Sequence, residues 1–167
     1  MSRSSDVALV DVDDVVMESL LALAKRDASP DEVAPPLGGP GWNPERTAWF
    51  RSYHRAASEG LDGPAGEKTW AVLYRGDVAG SVRLKRVASA GPSPAAEVGI
   101  WLGRSFRFRG VGGAALRLVL AQARRAGLVQ VVARTLAGND GAQRLLASAG
   151  AHMTRDDDGT VLAAVEL

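Results

Sequence analysis

The chain has 167 residues, 46% of them hydrophobic and 23% charged, which is enough to bury one sizeable core. It contains no cysteine, which excludes disulfides and a catalytic thiol, and its two histidines are far apart in sequence, so we expect no metal site. The start lacks the apolar core of a signal peptide and no apolar run reaches the roughly 18 residues of a membrane span, so we expect a cytoplasmic protein without membrane contact.

The net charge of +1 conceals a segregation of charge along the chain. Residues 1–40 hold 8 acids and 3 bases, whereas residues 101–135 hold 7 bases and no acid. The basic segment has no aromatic residue after Phe108, so a compact polyanion fits it better than nucleic acid, which we do not expect as a partner. A solvated, arginine-rich helix face is the other explanation of these charges.

The first part of the chain is predicted to form one strand and two helices. Residues 7–12 are apolar and rich in valine, as in a strand, and residues 15–23 have apolar side chains at helical spacing. Residues 30–41 have the composition of a loop. Residues 43–58 are predicted to be the second helix, because they begin with Asn-Pro-Glu: a capping side chain, a proline suited to the first turn, and an acid facing the helix dipole.

Three strands are predicted next. A glycine-containing loop over residues 59–67 leads to strands over residues 68–75 and 78–88, which a two-residue Gly-Asp turn joins into a hairpin. After a loop over residues 89–94, residues 95–102 form the third strand.

Helices and strands alternate in the last third of the chain. Residues 111–126 form a long helix with one apolar face, and residues 128–136 form a buried strand. Residues 141–149 form a short helix before a strand pair joined through residues 156–159. The element order predicts an α+β fold around one mixed sheet, in one domain spanning residues 1–167.

The residues that carry chemistry lie between the third strand and the long helix. Residues 107–114 read Arg-Phe-Arg-Gly-Val-Gly-Gly-Ala. Glycines let the backbone approach a ligand closely, the first-turn N–H groups of a helix have no partner within it, and the helix dipole places partial positive charge there. Arg104, Arg107 and Arg109 add full charges, so this segment predicts a phosphate site.

Three phosphate-binding motifs compete for this turn. A Walker loop is excluded, because the glycines lead to Ala114 and Ala115 rather than to Lys-Ser or Lys-Thr. A dinucleotide fingerprint is disfavoured, because no acid follows the next strand to bind a ribose. The third pattern, Arg-x-x-Gly-x-Gly at Arg107, Gly110 and Gly112, resembles the coenzyme A signature of the GNAT superfamily of acetyl-coenzyme A dependent N-acyltransferases.

The resemblance extends over about residues 68–167. Residues 97–102 are similar to the family's fourth strand, and residues 137–151 to its later motif, where an asparagine opens a helix that ends in a glycine. It implies an α+β fold with a mixed, mostly antiparallel sheet of seven strands and about four flanking helices. The helical N-terminal part is similar to the branch that includes ribosomal-protein and small-amine acetyltransferases, and a homodimer is compatible with this fold.

The resemblance implies a site for acetyl-coenzyme A and no metal. Backbone amides of residues 108–114 would bind the pyrophosphate, and the pantetheine arm would lie beside residues 100–102 like an added strand, with Gly99 compatible with a bulge there. Asn139 would touch this arm or cap the next helix. The implied coenzyme-binding residues are Ile100, Trp101, Leu102, Arg107, Phe108, Arg109, Gly110, Val111, Gly112, Gly113, Ala114 and Asn139.

Glu97 is the candidate catalytic base. Acyl transfer requires a neutral amine, whereas a lysine-type ammonium has a pKa of about 10.4, so a base or a water relay must take a proton. Glu97 matches a position where family members often have a catalytic glutamate, and alternation places it on the same strand face as Gly99 and Trp101. The alternative is a structural carboxylate paired with an arginine. The family's usual acid is missing, because its serine position is Ala142 here.

For the acceptor, the family position implies a cleft between the N-terminal helices and the last strand pair, both of which are acidic here. Asp31, Glu32 and residues 156–158 would attract a cationic amine, unless the last three only form a solvated turn. The aromatic residues that would cover its apolar part are Trp42, Trp49 and Tyr53. Otherwise Trp49 and Tyr53 belong to the core stripe of one helix.

The sequence therefore predicts an N-acetyltransferase acting on a primary amine of a small cationic molecule. The first alternative is acetylation of a protein or peptide N-terminus, in the manner of the ribosomal-protein branch. The second is a coenzyme A-binding module without catalytic activity, for which the missing acid is an argument.

Overall fold

The computed structural model of the chain describes residues 6–88 and 93–167. Residues 1–5 and residues 89–92, the first four of the predicted loop over residues 89–94, lie outside the described residues. In chain order the elements are β1 (Val7–Asp11), α1 (Asp14–Asp27), α2 (Pro30–Val33), α3 (Pro44–Ala57), β2 (Glu67–Tyr74), β3 (Asp77–Val87), β4 (Ala95–Leu102), α4 (Val111–Arg125), β5 (Gln130–Leu136), α5 (Asp140–Ser148), β6 (His152–Arg155) and β7 (Thr160–Glu166). A 3-10 helix, Arg104–Phe106, follows β4.

The described strands form one sheet in the order β1-β2-β3-β4-β5-β7-β6. All neighbouring pairs are antiparallel except β4 and β5, which are parallel and pair only from Ala95 with Gln130 to Glu97 with Val132. Because β4 stays paired with β3 to its end and β5 with β7, the sheet opens between β4 and β5 beyond Glu97. The β3–β4 register has no shift at Gly99, so this opening forms without the predicted bulge.

Each face of the sheet carries a layer of helices. On one face, α1 and α3 pack over the first strands through a cluster that includes Leu20 and Phe50. On the other face, α4 buries its apolar side, including Val111 and Val119, against the larger core. The sheet is therefore the middle of three layers, and β4 lies between the two helical ones.

The predicted α+β fold and its mixed sheet are confirmed. The second predicted helix begins where expected, because the Asn43 side chain accepts a hydrogen bond from the Arg46 N–H at 2.9 Å. The prediction of a plain loop over residues 30–41 is wrong in its first residues, where α2 forms with Pro30 in its first turn and two acids facing its N-terminus. The described residues therefore contain five helices, rather than about four.

Membrane spans and metal clusters are both absent from residues 6–88 and 93–167. No helix in these ranges has the length and apolar character needed to cross a bilayer. Within the same ranges, no three histidine, aspartate or glutamate side chains lie close enough together to hold a metal ion.

Candidate active site

The glycine-containing turn after β4 has left-handed backbone at two positions. Gly110 has a φ angle of 79° and Phe108 one of 61°. Glycine adopts this conformation without strain, whereas a phenylalanine side chain disfavours it. Phe108 is also fully exposed, so packing of its ring does not compensate for the strain. The shape of the turn is thus held by its surroundings, and it delivers Gly110 to the N-cap position of α4.

The first turn of α4 carries N–H groups that no described side chain caps. The first hydrogen bond within the helix runs from the Ala114 N–H to the Gly110 carbonyl at 3.2 Å. The side chains that cap α1, α3 and α5 are those of Asp13, Asn43 and Asn139. The amides of residues 111–113 are thus oriented toward an incoming anion, whereas the Ala114 amide, also predicted to bind pyrophosphate, is used inside the helix.

Gly112 and Gly113 are not required by the packing of the protein itself. A Cβ added at Gly112 would lie 3.6 Å from the Leu145 side chain, and one at Gly113 would lie 3.6 Å from Arg117 Nη1, both ordinary contacts. Each glycine in a helix costs about 1 kcal/mol relative to alanine. The missing side chains therefore fit a ligand that approaches the backbone closely. Arg117, which sequence reasoning missed, extends the positive charge of this site by one helical turn.

Arg107, the first residue of the Arg-x-x-Gly-x-Gly pattern, points toward β4. Its Nε and Nη2 atoms donate to the Leu102 carbonyl at 3.0 and 2.9 Å, and Nη2 also contacts the Glu32 carboxylate of α2. A second link joins this segment to α1, because Asp27 accepts a hydrogen bond from the Ser105 N–H at 3.0 Å. Arg107 thus fastens the turn to the end of β4 and shares its charge with Glu32.

The opening between β4 and β5 exposes backbone groups on one edge of β4. The Gly103 N–H donates to the Ala79 carbonyl on the β3 side, and the Pro94 carbonyl accepts from Val129 on the β5 side. Because backbone groups alternate along a strand, those of Ile100 and Leu102 face the opening and those of Trp101 face β3. Ile100 and Leu102 therefore fit the predicted pairing with an added strand-like arm, whereas the backbone of Trp101 does not. We call this opening the β4–β5 slot.

A cavity of about 400 Å³ lies on the α3 side of the sheet. Its floor consists of residues from β2, β3 and β4, and α3 and α2 form its roof and side. The lining residues are Glu32, Val33, Trp49, Phe50, Tyr53, His54, Glu67, Ser81, Arg83, Lys85, Gly99, Ile100 and Trp101. None of the described lining residues belongs to β6 or β7, so this cavity does not include the last strand pair and residues 156–158, whose contribution to an acceptor site stays a prediction. We call this space the acceptor cavity.

Strand register brings Glu97 to the edge of this floor. Glu97 pairs with Lys85 of β3, so its side chain shares the face of the acceptor cavity. Its Oε1 atom lies 2.9 Å from Arg83 Nη2, in a partly buried ion pair. A Cβ at Gly99 would come within 2.8 Å of Arg83 Nε, so glycine at this position leaves room for the Arg83 side chain to reach Glu97.

Two of the three predicted acceptor aromatics line the cavity. Trp49 and Tyr53 stack with their ring centroids 4.9 Å apart. Trp42 lies outside the lining and packs edge-on against Phe50. Of the two nearby acids, Glu32 lines the cavity, whereas Asp31 forms an ion pair with Arg46.

Glu67 and His54 are two of the cavity residues that sequence reasoning missed as site residues. Glu67, placed at the end of a predicted loop, is the first residue of β2 and is 7% exposed. The Tyr53 hydroxyl lies beside its carboxylate, and burial together with this neighbour raises the pKa of Tyr53. Burial lowers the pKa of His54 to about 4, and its Nδ1 atom lies 3.0 Å from Thr69 Oγ1. Glu67 and Thr69 are polar residues at alternate positions of an otherwise apolar strand. This pattern could have predicted that one face of β2 lines a polar site.

Comparisons with known proteins agree with this geometry. The sequence profile described as an acetyltransferase (GNAT) domain matches residues 17–152. Among curated protein sequences, none matches this chain.

Solved structures share the fold at low sequence identity. The GNAT domain of S. lividans PAT has a TM-score of 0.70 and 22% identity, covering 96% of this chain and 89% of that one. RimL, a ribosomal L7/L12 alpha-N-protein acetyltransferase in complex with coenzyme A, has a TM-score of 0.75 and 14% identity, covering 98% and 95%. The microcin C7 self-immunity acetyltransferase MccE, in complex with acetyl-CoA and AMP, has a TM-score of 0.72 and 14% identity, covering 97% and 93%.

Proposed function

The chain belongs to the GNAT family of acetyltransferases, and from that premise we propose that it transfers the acetyl group of acetyl-coenzyme A to a primary amine of a small cationic molecule. One observation carries the proposal. Ile100 lines the acceptor cavity and also directs its backbone into the β4–β5 slot, so the two spaces meet at the middle of β4. A thioester in the slot would therefore be reached by an amine from the cavity.

The residues around the slot fit acetyl-coenzyme A. The amides of residues 111–113 and the helix dipole favour a pyrophosphate, and Gly112 and Gly113 leave space for it against the backbone. Ile100 offers its N–H and carbonyl to the amide-containing pantetheine arm, whereas Leu102 offers its N–H, because the Leu102 carbonyl accepts from Arg107. Arg109 and Arg117 supply positive charge near the same helix end. Neighbouring structures in the family contain coenzyme A or acetyl-CoA, which supports this choice of cosubstrate.

In the proposed reaction, Glu97 takes a proton from the acceptor ammonium, directly or through one water. The neutral amine then attacks the thioester carbonyl carbon, so that a C–N bond forms and the C–S bond breaks. Arg83 holds the Glu97 carboxylate by an ion pair at the edge of the cavity floor. The leaving sulfur has a thiol pKa of about 8.5, so it departs without a strong acid and takes up a proton afterward.

A second candidate is acetylation of a protein N-terminus. RimL, which shares the fold, is described as a ribosomal L7/L12 alpha-N-protein acetyltransferase. The cavity volume of about 400 Å³ and its side wall, formed by Glu32 and Val33, favour a compact acceptor over a peptide chain that must enter and leave the site.

The test measures thiol release from acetyl-CoA with a panel of small amines and short peptides. We expect turnover with cationic small amines, and a drop in kcat of about a hundredfold or more in Glu97→Gln with unchanged acetyl-CoA affinity by calorimetry. Glu166→Gln is the matched control, because Glu166 is an exposed carboxylate on β7 that contacts Gln130. Acetyl-CoA binding without turnover on any acceptor would instead identify a coenzyme-binding module, and turnover on peptides alone would identify the second candidate.

A further inference from the structure

We propose that the acceptor carries two cationic groups, and that the carboxylate of Glu67 binds the one that does not react. The inference rests on the proposed function and specifies its substrate class. Glu67 is a buried acid to which the proposed acetyl transfer gives no role.

Glu67 lines the acceptor cavity and carries a buried carboxylate oxygen without a partner in the described part of the chain. The residue is 7% exposed and lines the cavity at the start of β2. Tyr53 lies beside its carboxylate, and Oε2 has no hydrogen-bond partner among the residues that the structure describes. An unpaired buried carboxylate oxygen is strongly unfavourable, so a donor from the occupant of the cavity completes this site.

The basic residues of the cavity do not neutralise Glu67. Arg83 is held in its ion pair with Glu97 on the neighbouring part of the floor. Lys85 is the cross-strand neighbour of Glu67, yet it is exposed and forms no ion pair within the described ranges. On the roof, His54 is buried beside Thr69, and burial lowers its pKa to about 4, so it is neutral near pH 7.

The other acid of the lining is already partnered. Glu32 of α2 contacts Arg107. Glu67 is therefore the acid of the described cavity lining whose carboxylate has no cationic partner.

Glu67 is too far from the β4–β5 slot for one amine to serve both places. β2 is two strands away from β4, and an arm in the slot would lie one further strand spacing beyond it. Three spacings of about 4.8 Å across the sheet, combined with the three residues along β4 from Glu97 to Ile100 and reduced by the reach of the carboxylate and the contact distances of the two nitrogens, leave on the order of 10 Å between the two points. One cavity joins them, because its lining includes both Glu67 and Gly99. An acceptor that binds Glu67 through one nitrogen therefore needs a second nitrogen about 10 Å away, and this second nitrogen is the one acetylated.

The middle of the cavity fits an apolar spacer. Trp49 and Tyr53 form a stacked aromatic surface on the roof, and Trp101 lies on the floor. Aromatic faces bind alkyl chains by area burial and also attract an ammonium group. The substrate class is therefore a long diamine, with its two cationic nitrogens separated by a mainly apolar chain.

The test compares kcat/KM across the terminal diamines of propane, hexane, octane and decane. The matched control for octane-diamine is the amino alcohol of the same length, which has one amine and one neutral hydroxyl. We expect the wild-type protein to prefer octane-diamine over both propane-diamine and the amino alcohol by at least about tenfold in kcat/KM. Only octane-diamine among these three has a second ammonium group that reaches Glu67. Equal rates for the diamine and the amino alcohol would overturn the proposal and leave acetyl transfer to small amines standing.

The Glu67→Gln variant tests whether Glu67 causes the preference for diamines. We expect the diamine-to-alcohol ratio of kcat/KM to fall to about one through a higher KM for the diamine, with acetyl-CoA affinity unchanged. Glu67→Asp keeps the charge and is expected to retain a preference, shifted to the longer diamine. A full diamine preference in Glu67→Gln would overturn the assignment. Absence of turnover with every amine, despite acetyl-CoA binding, would instead defeat the proposed function, and this proposal with it.

Discussion

The two sides of β4 offer different parts of the chain to a ligand. On the β5 side, the slot and the first turn of α4 present backbone N–H groups, those of Ile100 and residues 111–113 among them. On the α3 side, the acceptor cavity presents side chains such as that of Glu67, and Glu97 lies at its edge, outside the lining residues. A backbone site depends on chain geometry and on the absence of side chains, whereas a side-chain site depends on residue identity. We therefore expect substitutions on the first side to change coenzyme binding and those on the second to change acceptor selection.

The largest expected effect is that of a charge on the backbone side. Gly112→Asp places a carboxylate against the proposed pyrophosphate, so acetyl-CoA affinity measured by calorimetry should fall by at least about a hundredfold. Gly141→Asp is the matched control, because it adds the same charge to the first turn of α5. Unchanged affinity in Gly112→Asp would mean that the pyrophosphate binds elsewhere.

The second prediction concerns His54, on the acceptor side of β4, which is expected to lower the free energy of unfolding of the protein in mild acid. Because burial lowers the pKa of His54 from 6.5 to about 4, the unfolded chain binds a proton in this window that the folded chain does not. The free energy of unfolding should thus be highest above pH 6.5, and it should fall by on the order of 2–3 kcal/mol as the pH drops toward 4. Urea unfolding at several pH values measures this, and His54→Gln should flatten the slope. An identical slope in His54→Gln would exclude His54 as its source.

Arg107 links the two sides, since it contacts the Leu102 carbonyl at the slot and Glu32 at the cavity. Arg107→Ala should loosen the turn and lower acetyl-CoA affinity by about tenfold, and it should also raise the KM of the acceptor. Arg125→Ala, at the far end of α4, is the control. If Glu32→Gln alone reproduces the loss of acetyl-CoA affinity, the ion pair rather than the contact with Leu102 shapes the turn.

The smallest expected effect is that of Gly113→Ala, which should change protein stability and acetyl-CoA affinity in opposite directions. Gly113→Ala should stabilise the protein by about 1 kcal/mol, because alanine is the better helix former and the added Cβ makes only ordinary contacts. The same variant should weaken acetyl-CoA binding, since the Cβ occupies space beside the amides. Gly141→Ala is the control, with a similar gain in melting temperature and no change in binding. Tighter binding by Gly113→Ala would show that no ligand approaches this position.

The backbone site was largely predictable from the sequence because its signals are local. The Arg-x-x-Gly-x-Gly pattern at residues 107–112 lies between a strand and a helix, and the structure has β4 and α4 at those places. The orientation of Arg107 was not predictable, because its partners Leu102 and Glu32 depend on how α2 packs against the end of β4.

The acceptor cavity could not be assembled from local patterns. Its floor depends on strand register, which aligns Glu67 with Lys85 and Lys85 with Glu97 across three strands. Helical spacing correctly placed Trp49 and Tyr53 on one side of α3, but it could not tell which aromatic residues face the cavity. Trp42, which precedes the helix, is instead turned against Phe50.

The most direct test of the central claim is a crystal structure of the wild-type protein with acetyl-CoA. We predict pyrophosphate oxygens within hydrogen-bonding distance of the Gly112 and Gly113 amides, and the acetyl carbonyl at the Ile100 end of the acceptor cavity. A coenzyme bound elsewhere, with those amides capped by the protein's own side chains, would contradict the account.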